Sequence, residues 1–470
     1  MVPANRLLRW VAIGVVPFGA VGKMVPGALF WCVLPVLVLA IAAGWDAWRG
    51  LREGRGMGAA LPASVRLFVG RPGSLDLELS SEGFGRRHVR LGLAWPEDIR
   101  AEPAELEFDW PAGTAKMRVS WPCTGWRRGR RHLRSCHLEL TSPWGFWAVR
   151  RNLPQSCELR LYPNLLGERR QVSSVFLPRG GWGAHQQRVV GKGREFEKLR
   201  EYVPGDSYED IHWKATAKRG RPVTKLFQME RTQEVYVILD ASRLSARTFA
   251  SSAPRAATAL RSPIVRGTTG PAEDPGAGAE EQVPALERYV GAGLVLALAA
   301  ERESDRFGLL TFADRVQGFL RASNGRTHFN ACRDLLLGVE QREVAPDFEE
   351  MFALVRLRLR HRALLVILTA LDDPVVAEGF ARGVDLVSRQ HLVLVNQLAL
   401  PGVAPLFGGS MPAAGGELYQ RLAGHLRWHG LRELQGRLRR HGVRLSSLDH
   451  ERLSADLVAQ YLDVKRRQRL

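Results

Sequence analysis

An uninterrupted run of 18 residues without a charge, ALFWCVLPVLVLAIAAGW from Ala28 to Trp45, constrains this chain more than any other feature. As a helix it would rise about 27 Å, against roughly 30 Å of bilayer hydrocarbon. A shorter apolar stretch, WVAIGVVPFGAVG from Trp10 to Gly22, precedes it. Arg9 and Lys23 flank that stretch and extend its reach by snorkelling outward. Trp31, Trp45 and Trp48 lie near the ends of the longer run, where indole rings favour the interface. No small-residue cleavage site precedes a polar mature start, so a retained transmembrane helical hairpin over residues 1–50 is expected, not a signal peptide.

Positive charge orients that hairpin. Arg6 and Arg9 precede it, Arg49, Arg52 and Arg55 follow it, and only Lys23 lies between. Both outer flanks are therefore expected on the cytoplasmic side of the inner membrane, with the remaining chain facing the cytosol. The 470 residues suggest two or three domains. The formal charge of +19 attracts anionic surfaces. Its basic residues are spread along the chain and form no stripe, which argues against nucleic acid as the partner. Cys32, Cys123, Cys136, Cys157 and Cys332 show no metal-ligand spacing, and their odd number fits a disulfide framework poorly.

Residues 51–180 read as a β-rich domain. Short alternating runs at 65–69, 75–79, 88–95, 115–121 and 137–140, separated by Gly, Pro and Ser, predict half-buried antiparallel strands. Their number suggests a β-sandwich or small barrel. TSPWGFWAVRR at 141–151 places Pro143 and Gly145 at a turn.

Residues 181–232 are dense in charge and turn chemistry. Pro204-Gly205-Asp206 is a turn, and Asp206 is placed to cap a short helix containing Ile211, His212 and Trp213. Lys214, Lys218, Arg219, Arg221 and Lys225 form a basic cluster. Asp206, Asp210 and His212 suggest a hydrolytic centre as one reading. Ion pairing of these carboxylates with neighbouring Arg and Lys is the other, and no nucleophile or metal cluster accompanies them.

From 233 to 470 the pattern alternates strand and helix. Strands are predicted at 234–240, 306–312, 363–369, 391–398 and 443–448, and helices at 285–302, 327–338, 374–389 and 454–466. This predicts an α/β doubly wound sheet, with Asp240 and Ser242 at the carboxyl end of a strand, where such sheets bind ligands. Residues 243–284, rich in Ala, Arg, Ser, Gly and Pro, read as a disordered insertion.

Several of these pieces together resemble the bacterial domain-of-unknown-function 58 family. They are Gly193-x-Glu195-Phe196, Leu199-Arg200-x-Tyr202, Pro204-Gly205-Asp206, Ile211-His212-Trp213 and Thr216-Ala217-Lys218, followed by the strand EVYVILDAS. The turn at 143–147 resembles the family's usual Asp-Pro-Phe-Gly-Leu. The resemblance marks Glu195, Arg200, Tyr202, Gly205, Asp206, His212, Trp213 and Lys218 as binding residues of the signature segment. It implies a von Willebrand factor A-like C-terminal domain. Such domains often hold Mg²⁺ through Asp-x-Ser-x-Ser, a Thr and an Asp. Here Asp240, Ser242, Thr327 and Asp372 are the candidates, but Leu244 replaces the second Ser and Ala370 stands where the Asp is expected.

The resemblance also implies partnership with a MoxR-type AAA+ ATPase, hence a membrane-anchored scaffold or adaptor in protein-complex assembly or cell-envelope maintenance. No glycine-rich phosphate loop, nucleophile elbow or zinc motif is present, so the chain is not expected to be an enzyme. A hydrolase using Asp206, Asp210 and His212, or a nucleic-acid-binding protein, is the alternative.

Overall fold

The computed structural model describes residues 1–17, 29–81, 85–168, 190–203, 208–228, 233–251, 281–406 and 415–467. The fold divides after Asn164 into two units. The first begins with a short strand, β1 (Val2–Pro3), and helix α1 (Asn5–Trp10), which runs into a π-helical turn at Val11–Val15. Helix α2 (Leu29–Arg55) follows, and Val33–Arg55 is the one stretch among the described residues long and apolar enough to cross a membrane. Val33, Leu34, Leu37, Val38 and Ile41 are exposed on it. The other arm of the expected hairpin is described only to residue 17, and the connection at 18–28 lies outside the described residues.

The strands of this unit are β2 (Gly58–Ala60), β3 (Ser64–Phe68), β4 (Pro72–Ser80), β5 (Arg87–Leu93), β6 (Ile99–Ala101), β7 (Glu105–Trp110), β8 (Lys116–Gly125), β9 (Gly129–Thr141) and β10 (Trp147–Tyr162). They form one sheet of order β1-β10-β9-β5-β7, with β3 beside β10, and a second of order β2-β4-β8-β6. Alternate residues of both sheets meet in one core: Leu75, Leu77 and Trp121 from one, Leu91, Leu138 and Leu159 from the other. Of the sandwich or small barrel expected from period-two alternation, the two sheets form the sandwich. The buried indoles of Trp110 and Trp121 donate to the carbonyls of Thr114 and Pro103, so neither buries an unsatisfied N–H.

The expected border at residue 50 does not hold. Val2 and Pro3 pair with Ala148 and Trp147 of β10, and α2 lies against the β9–β10 hairpin. Gly50 and Gly54 make that approach possible: a Cβ at Gly50 would meet Ser142 at 3.2 Å, and one at Gly54 would meet Val149 at 3.0 Å. Arg87 pairs with Glu53 of α2 at 3.0 Å, and Arg151 donates to the carbonyls of Arg55 and Met57 at the helix's C-terminal end. Helix and sandwich are thus one unit, Met1–Asn164, which ends before the expected border at 180.

The second unit contains the hairpin β11 (Val190–Glu201) and β12 (Val223–Gln228), with helix α3 (Trp213–Arg219) between them. Its sheet runs β17-β16-β13-β18-β19-β20. The strands are β13 (Glu234–Asp240), β16 (Arg306–Phe312), β17 (Val316–Ser323), β18 (Leu364–Leu368), β19 (Leu392–Leu398) and β20 (Arg444–Leu448). All pair in parallel except the edge strand β17. The remaining elements are β14 (Thr248–Ser251), β15 (Glu281–Pro284), α4 (Ala285–Arg302), α5 (Arg326–Leu337), α6 (Phe348–Arg358), α7 (Pro374–Ser388), α8 (Gly415–Arg440) and α9 (Leu453–Arg466). Two apolar clusters cover the two faces. One contains Val237, Leu239, Tyr289 and Tyr461, and the other Tyr236, Ile238, Phe352 and Phe380. The doubly wound sheet is as expected, and the order reverses direction between β13 and β18.

Residues 243–284, expected to be disordered, are ordered at both ends. Residues 243–246 form a 3-10 turn, and β14 pairs with β15, Thr248 opposite Pro284 and Phe249 opposite Val283. Phe249 is buried in the core beside α4, and the Ala285 N–H donates to the Arg247 carbonyl at 2.7 Å. Backbone pairing and one buried ring order both ends of a segment whose composition alone suggests disorder. Residues 252–280 lie outside the described residues.

Candidate functional site

Asp240 closes β13 and Thr369 follows β18, at the reversal of strand order where doubly wound sheets bind ligands. Asp240 is 0% exposed. One carboxylate oxygen accepts the Ser242 N–H at 2.8 Å, and the other accepts the Thr369 hydroxyl at 2.5 Å. Burial pushes the Asp240 carboxyl above its ordinary range, against the hydrogen bonds from Ser242 and Thr369. Ser242 is also fully buried, and its hydroxyl accepts the Leu244 N–H at 3.3 Å to cap the 3-10 turn. Ser245, one residue late for the expected pattern, donates to the Ser242 carbonyl at 2.8 Å.

Asp372 engages Arg247, whose Nη2 donates to Oδ2 at 2.6 Å. Asp372 Oδ1 and Arg247 Nη1 are buried without a hydrogen-bond partner. Tyr289 of α4 donates to the Thr369 carbonyl at 3.3 Å. Burial pushes its phenol up, and Asp240, Arg247 and Asp372 all act on it electrostatically. These side chains therefore form one cluster. Thr327 is exposed in the first turn of α5, unlike the buried Asp240 and Ser242.

This donor set does not fit Mg²⁺, which asks for near-octahedral oxygen ligands and retains several waters. Both Asp240 oxygens are engaged inside the fold, a hydroxyl donor stands beside Ala370 where a carboxylate was expected, and Asp372 is paired with a guanidinium. Among the described residues no three His, Cys, Asp or Glu side chains are grouped to hold a metal. Sequence reading missed Thr369 and Arg247. Thr369 was visible next to Ala370, whereas Arg247 sits in the segment that composition marked as disordered.

The signature segment is the second candidate. Arg200 and Glu201 of β11 pair with Thr224 and Val223 of β12, and the backbone of Glu195 pairs with that of Gln228. Tyr202 stacks on Tyr208 with centroids 5.9 Å apart. The expected cap, Asp206, lies outside the described residues with Gly205. Instead His212 caps α3: its Nδ1 accepts the Ala215 N–H at 3.1 Å, which places the proton of the neutral ring on Nε2. The helix therefore starts at Trp213, later than expected. It ends at Gly220 in a left-handed conformation, φ +67°. The Thr216 hydroxyl accepts the Val223 N–H at 3.0 Å and the Ile211 side chain is buried, which hold α3 on the hairpin.

What this segment presents outward is aromatic and basic. Trp213 is 69% and Tyr208 76% exposed, and Lys214, Lys218, Arg219 and Arg221 are exposed beside them. Arg221 pairs with Glu201 at 2.7 Å. Asp210 is half-buried at the end of a 3-10 turn, Tyr208–Asp210. Exposed Trp, Tyr and Arg side chains suit docking, since these residue types dominate binding energy at interfaces.

Cys123, Cys136, Cys157 and Cys332 are free and buried. Burial pushes the Cys123 and Cys136 thiols up to about 11 and Cys332 up to about 12, so none is a ready nucleophile.

Comparison with known proteins agrees with the signature. No curated protein matches the chain. Among solved structures, the SpRpn10 VWA domain is 11% identical, with a TM-score of 0.26, covering 49% of this chain and 95% of that one. WR4, a C. elegans MSP family member, is 11% identical with a TM-score of 0.17, covering 23% of this chain and 97% of that one. The doubly wound fold is defined by the sheet order β17-β16-β13-β18-β19-β20. Residues 198–260 and 277–404 match the family described as "Protein of unknown function DUF58". Through this region, which includes much of the signature segment and most strands of the doubly wound sheet, the chain is similar to the DUF58 family.

Proposed function

We propose that this protein is a membrane-anchored scaffold that docks a partner through its signature segment, the partner being a MoxR-type AAA+ ATPase. One observation carries the reading: Trp213 and Tyr208 stand exposed among Lys214, Lys218, Arg219 and Arg221 on a hairpin that holds them in place. Trp, Tyr and Arg side chains are enriched among the few residues that carry most of the binding energy at interfaces. The apolar run of α2 supplies the anchor, and Arg49, Arg52 and Arg55 after it favour the cytoplasmic side. The reading is non-enzymatic. It is supported by His212 using Nδ1 to cap α3, which leaves only Nε2 for any other role.

Capture from mild-detergent membranes through a C-terminal tag, with and without ATP, tests the proposal. A stoichiometric AAA+ ATPase is the expected companion, and its absence in both conditions overturns the assignment of partner.

A further inference from the structure

Helix α2 carries one fully buried carboxylate, Asp46, just beyond its exposed apolar run. Asp46 organises the turn between β9 and β10. Ser142 Oγ donates to Oδ2 at 2.5 Å, the Trp144 N–H donates to Oδ1 at 2.9 Å, and the Phe146 N–H donates to Oδ2 at 3.3 Å. Trp147 Nε1 donates in return to the Ala43 carbonyl of α2 at 2.9 Å. The N-terminal segment joins the same turn, with the Ala4 N–H donating to the Phe146 carbonyl at 2.8 Å. Gly145 has φ +75°, and a side chain there would meet the stem of Arg6 at 3.3 Å. The turn is thus fixed to one level of the helix.

What the turn exposes at that level is aromatic. Trp144 is 46% exposed, its ring 4.8 Å from that of Trp45 and 6.1 Å from that of Phe146. Trp45 and Trp48 are exposed too, each with a guanidinium over its ring: Arg49 at 5.2 Å and Arg52 at 5.8 Å. Arg6 and Arg9 are exposed on the neighbouring segment. Ile41 lies about 6 Å further along the axis, one helical turn into the apolar run. Indole rings settle at the head-group level of a bilayer, and guanidinium groups pair with lipid phosphate there.

We propose that the turn Pro143–Phe146, together with Trp45, is a lipid-contacting wedge seated at the head-group level of the membrane that α2 crosses, with Asp46 as the residue that sets its depth. The partner is the anionic phospholipid interface. This rests on the anchoring reading of α2 and adds that the sandwich itself touches the bilayer.

The test uses the full chain with Cys32 replaced by Ala, the other cysteines being buried. Single variants Ile41→Cys, Trp144→Cys and Glu107→Cys carry an environment-sensitive fluorophore in phosphatidylethanolamine–phosphatidylglycerol vesicles. Glu107 is the control, exposed on β7 at the far edge of the sheet. Lipids brominated deep in the acyl chain should quench Ile41→Cys, lipids brominated near the head group should quench Trp144→Cys, and Glu107→Cys should keep its emission. Adding Asp46→Ala should abolish the Trp144→Cys quenching and leave that of Ile41→Cys. If Ile41→Cys is quenched while Trp144→Cys behaves as Glu107→Cys, the wedge is overturned and the anchor stands. If neither is quenched, the anchor falls and the wedge with it. Pro143→Cys in the same turn gives the same readout should Trp144→Cys fail to fold.

Discussion

Arg247 and Asp372, 125 residues apart in sequence, meet at 2.6 Å beside the carboxyl end of β13. The guanidinium supplies positive charge to the carboxylate of Asp372. Asp372 is nearly buried while Arg247 is partly exposed, so the pair is shielded on one side only. Solvent screening tempers its worth below that of a fully buried pair.

Chelation should therefore leave thermal unfolding unchanged. A cation present at a hundredfold its Kd would add about 2.7 kcal/mol to stability, an effect that calorimetry with and without chelator detects readily. A fall in melting temperature on chelation would restore a metal to this site. Arg247→Met, by contrast, should cost roughly 1–3 kcal/mol, because it leaves the Asp372 carboxylate buried beside Tyr289 without its cation.

Asp240 gives a pH signature. Burial raises its carboxyl, so the folded chain keeps a proton that the unfolded chain has lost. Stability from this group is present below the ordinary carboxylate range and is lost as pH rises from about 4 toward the folded-state value. Asp240→Asn carries no such proton, and its amide oxygen still accepts the Ser242 N–H. Urea unfolding of the detergent-solubilised chain should show wild type losing stability relative to Asp240→Asn as pH rises. Parallel profiles would mean that Asp240 ionises as an ordinary carboxyl.

The approach of α2 to the sandwich depends on its small residues. Gly54→Leu would drive atoms into Val149, already 3.0 Å from a built Cβ, and should cost about 1–3 kcal/mol through overpacking. Hydrogen exchange should quicken in β9 and β10 and stay unchanged in β16 and β18. Unchanged exchange in β10 would show that the helix packs loosely.

The elements legible in the sequence were those with one dominant signal. β13, β18 and β19 are nearly continuous apolar runs between turn residues, and their observed bounds fall within a residue of expectation. α4 and α9 likewise follow from their apolar spacing. The edge strand β17 escaped notice because it is half exposed and mixes Gln, Gly, Arg and Ser with its apolar residues. α6 and α8 escaped because arginines crowd their apolar positions. At the strand-end cluster, sequence spacing located Asp240 and Ser242 but could not foresee that Thr369 would turn its hydroxyl toward Asp240. That contact depends on the pairing of β13 with β18, a tertiary fact. The role of Asp46 was hidden for the same reason, since its partners lie about 100 residues away.

The signature segment, not the closed strand-end cluster, is the proposed docking face. The most direct test is to capture three tagged chains side by side from membranes with ATP present: wild type, Trp213→Ala with Lys218→Glu, and Asp240→Asn. Wild type and Asp240→Asn should bring down the same AAA+ ATPase in equal amounts, while the Trp213–Lys218 variant should lose it without losing its fold. Retention by that variant together with loss by Asp240→Asn would move the docking face to the ends of the sheet.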